Sequence, residues 1–217
     1  MISKQIGWSQ ESNLLWEILR QLNRLGGVIS SLIAKVVNLE PKYKVFTALL
    51  TQSGDDEKVS LIFNNAEPFP TIIIGTTYTI SEIGDDIDFT LIGAPDNNVG
   101  TNFIATGVNP GTGSNSAPSV LDYTLGAPVA VILENTIGNI WFNYEGDGMY
   151  AATSDDLFTI GKTWNTNVIV LGVNGPADRG VLYQENSSVL GIRTESDVDV
   201  PSNNILSSTP IEIRVYS

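Results

Sequence analysis

The chain has 217 residues and a formal net charge of −13, from 24 acidic and 11 basic side chains. Such an acidic surface disfavours binding to nucleic acid, whose phosphates are neutralised by Lys and Arg, and to anionic membranes. The chain has no cysteine and no histidine, which excludes disulfides and removes the commonest zinc ligands and the commonest acid–base catalyst.

The chain also carries no recognisable membrane or export segment. Its apolar runs all fall short of the roughly 20 residues that span a bilayer. The first eight residues, MISKQIGW, lack the hydrophobic core of a secretion signal. We therefore expect a protein that is made in the cytosol and does not span a membrane.

Large aliphatic residues recur at alternating three- and four-residue spacings between Trp8 and Leu39. This spacing predicts an amphipathic helix with the seam of a coiled coil. The predicted seam comprises Leu15, Ile18, Leu22, Leu25, Ile29, Leu32, Val36 and Leu39. Further apolar residues flank it, Leu14 and Val28 on one side and Leu19, Ile33 and Val37 on the other. Because two helices would leave these flanks half exposed, the width favours three or more helices.

The ends and the middle of this helix leave alternatives open. Ser9 is the preferred N-cap, with Ser12 as its rival, and Pro41 ends the helix. Each glycine of Gly26-Gly27 costs about 1 kcal/mol in a helix, so a hinge between two shorter helices is an alternative. Another alternative is an amphipathic helix that packs against its own domain.

After Pro41 the pattern changes to the two-residue period of β-strands. Turn clusters rich in Gly, Asn, Asp and Pro separate the apolar runs, and no further amphipathic helix follows. The predicted strands are 43–51, 59–63, 71–80, 89–92, 102–106, 129–133, 139–144, 149–153, 167–171, 181–184, 189–193 and 211–216. We therefore expect a mainly β protein, an N-terminal helix followed by antiparallel β-sandwich or barrel domains.

A segment low in apolar residues, NPGTGSNSAP at 109–118, is the best linker candidate. We predict a helical anchor at 1–41 and a β-sandwich domain formed by 42–55 and 119–217. Residues 56–118 are then a small β-domain inserted into a loop of that sandwich and ending in the linker.

Four stretches resemble structural proteins of tailed bacteriophages: IGWSQESNLLWEILRQLNRL at 6–25, YKVFTALLTQSG at 43–54, VILENTIGNIWF at 131–142 and IEIRVYS at 211–217. In such proteins the second and third pieces usually lie close together, whereas here more than seventy residues separate them. The intervening residues 75–107 resemble a separate phage module, which supports the inserted domain. The resemblance implies a fibre, head-decoration or tail-associated role in a virion assembled in the host cytoplasm, and it brings no active site.

Three aspartates that follow Gly84 form the only candidate metal site that we single out, and it is a weak one. Asp85, Asp86 and Asp88 supply the oxygen ligands that calcium prefers, but the EF-hand glycine and glutamate are missing. Aspartates in a solvated turn, bonded to their own backbone, are the better interpretation. We expect no metal and no cofactor.

Aromatic residues concentrate at two other places. Trp141, Phe142, Tyr144 and Tyr150 lie on neighbouring predicted strands, where core packing is favoured over a sugar-binding surface. By strand alternation, the pair Trp141 and Asn143 lies opposite Phe142 and Tyr144, so only one pair should be core. Near the N-terminus, Trp8, Leu14, Trp16 and Leu19 form the predicted virion anchor, because exposed tryptophans are typical interface hot spots.

No pair of carboxylates and no phosphate-binding or nucleophile motif stands in a context that indicates an enzyme. The sequence favours a non-enzymatic homotrimeric head or tail fibre, anchored to capsid or other virion proteins by its helices and displaying β-domains outward. One alternative is an adhesin that binds host-surface glycan, through the 56–118 domain or the loops at 96–98 and 174–179. Another is a capsid decoration protein that reinforces the shell.

Overall fold

The computed structural model describes residues 10–37, 42–64, 69–113, 117–166, 178–196 and 200–217. These residues belong to two compact units, Met1–Lys42 and Tyr43–Ser217. The first unit contains one helix and the second is built from antiparallel β-sheets. The structure thus confirms a mainly β protein with one N-terminal helix.

The helix α1 (Gln10–Val37) runs for 28 residues. It passes through Gly26-Gly27 without a break, so the alternative of two shorter helices is wrong. The flanking residues are mostly good helix formers, which offsets the cost of about 1 kcal/mol per glycine. Ser12 lies inside the helix and is not its N-cap, whereas Ser9 and Pro41 lie outside the described residues. No helix in the described ranges is long and apolar enough to cross a bilayer.

The second unit contains β-strands that pair only with antiparallel neighbours. In chain order they are β1 (Tyr43–Thr51), β2 (Lys58–Phe63), β3 (Thr77–Glu82), β4 (Asn102–Ile104), β5 (Ser119–Thr124), β6 (Val129–Asn135), β7 (Ile140–Gly146), β8 (Met149–Ser154), β9 (Thr163–Asn165), β10 (Arg179–Gln184), β11 (Val189–Ser196), β12 (Val200–Pro201) and β13 (Thr209–Tyr216).

These strands form three sheets. The first has the order β6-β1-β13-β9, the second β10-β11-β8-β7 with β12 beside β11, and the third β2-β5-β3-β4. The first and second sheets share one hydrophobic core, in which Phe46 of β1 lies 6.1 Å from Phe142 of β7 between ring centroids. The third sheet has its own core, around Tyr78, Phe89 and Phe103.

Hydrogen bonds join the third sheet to the first two. The Phe142 amide donates to Thr77 Oγ1 at 2.9 Å, and the Asn139 side chain donates to the Asn102 carbonyl at 2.8 Å. The Ala130 amide donates to the Gly75 carbonyl, also at 2.9 Å. The strands of the third sheet all lie within residues 58–124, while the independence of a domain at 56–118 stays a prediction.

Some predicted elements differ from the structure. Residues 89–92 form a short 3-10 helix, not a strand. The Asp88 side chain caps its start by accepting a hydrogen bond from the Thr90 amide at 2.9 Å. Gly93 ends it in the left-handed conformation, at φ +113°. The predicted strand 71–80 begins only at Thr77. Strands β5, β9 and β12 were not predicted, and the predicted strand 167–171 lies outside the described residues.

The predicted linker is held to the third sheet at both of its described ends. The Asp88 amide donates to the Pro110 carbonyl at 2.7 Å, and the Asp85 amide donates to the Ala117 carbonyl at 3.3 Å. Residues 114–116, between these ends, lie outside the described residues. The described ends therefore pack as part of the β unit.

Candidate functional site

The predicted seam of α1 is an exposed apolar surface of the first unit. Six seam residues have described side chains, and all six are between 46% and 60% exposed: Leu15, Ile18, Leu22, Leu25, Ile29 and Leu32. The Val36 side chain and Leu39 lie outside the described part of the chain. An isolated helix gains nothing from such a stripe, because its stability comes from packing an apolar face against a partner.

The flanks of the seam are exposed as well. Leu14, Leu19 and Val28 are each more than half exposed, while the side chains of Ile33 and Val37 are not described. In the predicted virion anchor, Trp16 is 44% exposed and the Arg20 guanidinium carbon lies 5.8 Å from its ring centroid. Trp8, the other anchor tryptophan, lies outside the described residues.

The polar side of α1 is organised by a local ion pair. Arg20 Nη2 donates to Glu17 Oε1 at 2.7 Å, and the Gln21 amide donates to the same oxygen at 3.2 Å. These hydrogen bonds hold the pKa of Glu17 below its usual value. The helix therefore has a hydrated, hydrogen-bonded side and an exposed apolar stripe, which is the pattern of an amphipathic helix.

A second apolar surface lies on the side of the first sheet that faces away from its core. In β1, the residues at odd positions from Tyr43 to Leu49 are only half-buried, while the alternating Phe46, Ala48 and Leu50 are in the core. Cross-strand pairing places Val131 of β6 opposite Leu49. We call this surface the outer face and define it by Tyr43, Leu49, Val131, Trp164, Arg214 and Tyr216.

Aromatic rings and one guanidinium cluster at one end of the outer face. The Arg214 guanidinium carbon lies 4.9 Å from the Tyr43 ring centroid and 4.8 Å from the Trp164 ring centroid. Tyr43 also packs on Tyr216, with ring centroids 5.4 Å apart, and Arg214 Nε donates to the Glu212 carboxylate. Sequence reasoning missed this cluster. A signal was present in YKVFTALLT, which has apolar residues at odd as well as even positions, because strands that are covered on both faces show this pattern.

The aromatic residues near Trp141 lie in the core rather than on a binding surface. Trp141 is 8% exposed, while Phe142 and Tyr150 are almost completely buried. The expectation that only one alternating pair is core was wrong, because Trp141 and Phe142 on opposite sides of β7 are both buried. The reason is that β7 contacts β3 and β4 of the third sheet in addition to its own sheet.

Tyr150 is the centre of a buried polar network. Its hydroxyl lies 2.9 Å from Gln52 Oε1 and 3.0 Å from Asn203 Oδ1, and the Asn204 amide donates to Gln52 Oε1 at 2.6 Å. Burial raises the pKa of Tyr150 to about 12, because the ring environment penalises the charged phenolate. This network ties β8 to β1 and to the loop before β13.

We expect Tyr150→Phe to lower the free energy of unfolding by about 1–2 kcal/mol at pH 7, because buried acceptors lose a donor. The raised pKa means that the neutral phenol stabilises the fold fully below pH 10, and that this contribution is lost as the pH rises towards about 12. Between pH 10 and about 12, the free energy of unfolding, measured by urea titration, should therefore fall less for the variant than for the parent. Tyr183→Phe, at a 44% exposed tyrosine, is the control. An equal loss of unfolding free energy at pH 7 in both variants would contradict the network.

The aspartates at 85–88 lie in and just after a turn that precedes the 3-10 helix. Asp85 and Asp86 are exposed, and Asp86 has a left-handed φ of +64°. Asp88 accepts hydrogen bonds from the hydroxyl and the amide of Thr90, which lower its pKa. Within the described ranges, no three acidic side chains converge on a common point.

In the Asp96–Asn98 loop, one of the predicted glycan-binding loops, Asp96 and Asn97 form hydrogen bonds within the chain. Asp96 Oδ1 accepts from the Asn98 amide at 3.1 Å and from the Thr101 hydroxyl at 2.5 Å. Asn97 accepts from the Phe89 amide at 3.0 Å and donates to the Ile87 carbonyl at 3.2 Å. Most of the other predicted loop, 174–179, lies outside the described residues.

A groove of about 410 Å³ lies between β7 and the third sheet. Several of its lining side chains are already engaged within the protein: Asp122 accepts from Ser60 at 2.5 Å, and Asn143 donates to Thr153 at 3.0 Å. Thr77 accepts the Phe142 amide. The groove is therefore a polar junction between two parts of the β unit.

The seam of α1 and the outer face are thus two exposed apolar surfaces among the described residues. Comparison with known proteins does not indicate a family: the chain matches no protein-family model, no curated protein and no solved structure.

Proposed function

We propose that the chain is a non-enzymatic virion structural protein that assembles as a homotrimer through its N-terminal helices. The observation that carries the proposal is the exposure of the six described seam residues along one side of α1. Burial of apolar surface is worth about 25 cal/mol per Å², so a stripe along 28 residues favours association strongly. A coiled coil is the arrangement that the three-and-four spacing fits.

The width of the apolar stripe supports three helices over two. Leu14, Leu19 and Val28 lie beside the seam and are each more than half exposed. A two-stranded coiled coil covers mainly the seam, whereas three or more helices also cover its flanks. The seam mixes Leu and Ile at both of its heptad positions, and this mixture does not restrict the bundle to two strands.

The β unit is the displayed part in this proposal. Its first and second sheets supply one common core, which supports a β-sandwich with a layer from each sheet. The formal charge of −13 keeps copies soluble at high local concentration. The similarity of residues 6–25, 43–54, 131–142 and 211–217 to tailed-phage structural proteins supports a place on the particle, with Trp16 in the contact to capsid or another virion protein.

The test is the mass of the purified chain in solution, measured by light scattering across micromolar concentrations, together with immunolabelling of purified particles. We expect three times the chain mass and a label on the particle. A monomer at every concentration would overturn the assembly, and a protein found in the lysate but not on particles would overturn the virion role.

A further inference from the structure

The outer face of the first sheet is not the surface that a solvent-facing sheet normally has. In antiparallel sheets with one face exposed to solvent, each strand usually alternates between apolar residues that face the core and polar residues that face the solvent. Here Val131 is 60% exposed and lies opposite Leu49, and Trp164 is 44% exposed and lies opposite Arg214. Thr47 and Glu134 are outward and polar, whereas Leu49, Val131 and Trp164 are apolar at outward positions where polar side chains are expected.

The composition of the outer face is that of an interface hot spot. Trp, Tyr and Arg are the residues most enriched where truncation weakens protein–protein binding. The Arg214 guanidinium is held between the rings of Tyr43 and Trp164 and is bound to Glu212 within the same chain. Because these side chains are already ordered, little conformational entropy remains to be lost on binding.

The edge strand of the same sheet presents apolar side chains as well. Strand β6 is the last strand in the sheet order, and the Gly75 carbonyl covers its Ala130 amide at 2.9 Å. Its residues Val131 and Leu133 are 60% and 62% exposed. Exposed apolar side chains on an edge strand favour association with another chain.

The partner that fits this surface is a second copy of the same chain. Between the end of α1 at Val37 and the start of β1 at Tyr43 only five residues intervene, a span of at most about 22 Å when fully extended. In a helical trimer, so short a tether holds the copies of β1 at an effective concentration in the millimolar range. At such a concentration, an outer face that associates too weakly by itself still forms a contact with another copy.

Charge permits this contact. The chain carries a net charge of −13, so two copies repel each other over most of their surfaces. At the aromatic end of the outer face, Glu212 is paired with Arg214, which reduces like-charge repulsion there. The exposed Glu134 lies on the same side of the sheet, opposite Thr47. We infer that the outer face of the first sheet packs against a second copy of the chain, as an interface that continues the one formed by the helices. The inference rests on the proposed homotrimer.

The chain lacks cysteine, so a single introduced thiol reports the exposure of one site. We compare Val131→Cys on the outer face with Leu91→Cys, a control at a 66% exposed side chain in the 3-10 helix. Each is labelled with a maleimide in the full chain, and again in a chain that also carries Leu22→Glu and Ile29→Glu to separate the helices. Light scattering measures the mass of every sample before labelling.

We expect Val131→Cys to react about tenfold more slowly in the assembly than in the separated chain, because burial limits reagent access, while Leu91→Cys reacts equally in both. Equal rates for Val131→Cys in an assembly of trimer mass would overturn the outer-face contact and leave the proposed function standing. A monomer mass for the parent chain would overturn both.

A second measurement does not depend on the thiol. Trp164→Ala should weaken association of the full chain at least about tenfold in sedimentation equilibrium, as truncation of a hot-spot residue does. Leu91→Ala should leave the dissociation constant unchanged. An unchanged constant for Trp164→Ala, with the β-sheet circular dichroism of the parent retained, would overturn the inference.

Discussion

Replacing Leu22 and Ile29 together by glutamate should convert the assembled protein to monomers at micromolar concentration. Both side chains lie on the exposed seam of α1, seven residues apart and therefore at equivalent heptad positions. Each change removes the burial of one apolar side chain, which contributes about 1.5–3 kcal/mol per helix. It also brings carboxylates together in a dry interior, where an unpaired charge costs several kcal/mol more. The dissociation constant should rise at least about 100-fold.

The matched control places the same two charges at polar positions outside the seam. Asn23→Glu and Ser30→Glu have the same seven-residue spacing and lie at exposed positions about 100° around the helix from Leu22 and Ile29, so they should leave the mass unchanged. Glutamate has a good helix propensity, so a loss of mass is not explained by a loss of helix, which circular dichroism checks. If the seam variant keeps the parent mass, the helices are not the joint between copies.

The helix and the first strand were the easiest elements to predict, because both depend on local pattern. The three-and-four spacing gave α1, and YKVFTALLT gave β1 with the bounds of the structure, Tyr43–Thr51. Gly26-Gly27 did not interrupt the helix. Helix propensity is summed over many residues, so two unfavourable positions in a 28-residue helix do not decide its course.

The 3-10 helix at 89–92 shows where local pattern was insufficient. FTLI is a short apolar run, and periodicity cannot distinguish a strand from a helical turn over four residues. The deciding contacts are the Asp88 side chain on the Thr90 amide and the left-handed Gly93. An aspartate before and a glycine after such a run are signals of a capped turn, and they were present in the sequence.

The outer face could not be predicted from single strands. Its cluster forms only when β1, β9 and β13 are neighbours, which brings Tyr43, Trp164 and Arg214 together from three distant parts of the chain. Strand order is a property of the tertiary fold. The apolar odd positions of β1 indicate a second covered face, but they do not indicate which residues lie beside it. The same holds for Tyr150, whose partners Gln52 and Asn203 lie about a hundred and about fifty residues away.

Phe142→Ala should lower the free energy of unfolding by about 3–5 kcal/mol, the largest single-residue effect that we expect in the β unit. The Phe142 side chain is completely buried in the core shared by the first two sheets. Its truncation removes apolar burial and leaves a cavity beside Phe46, whose ring centroid is 6.1 Å away. Phe69→Ala, at a 37% exposed phenylalanine, is the control and should cost less, about 1–2 kcal/mol, because less apolar surface is removed from the interior. Urea unfolding is measured at one protein concentration, because assembly couples to stability.

The same variant distinguishes an inserted domain at 56–118 from a part of one cooperative unit. The backbone of Phe142 binds Thr77, Asn139 binds the Asn102 carbonyl and Ala130 binds the Gly75 carbonyl, so three hydrogen bonds cross between the third sheet and the other two. We therefore expect one transition, with hydrogen exchange in Phe142→Ala accelerated in β3 and β5 as well as in β7 and β8. A variant in which β3 and β5 keep the protection of the parent while β7 and β8 lose theirs would show that the third sheet, whose strands lie within residues 58–124, folds on its own. The crossing hydrogen bonds would then be contacts between two domains rather than part of one core.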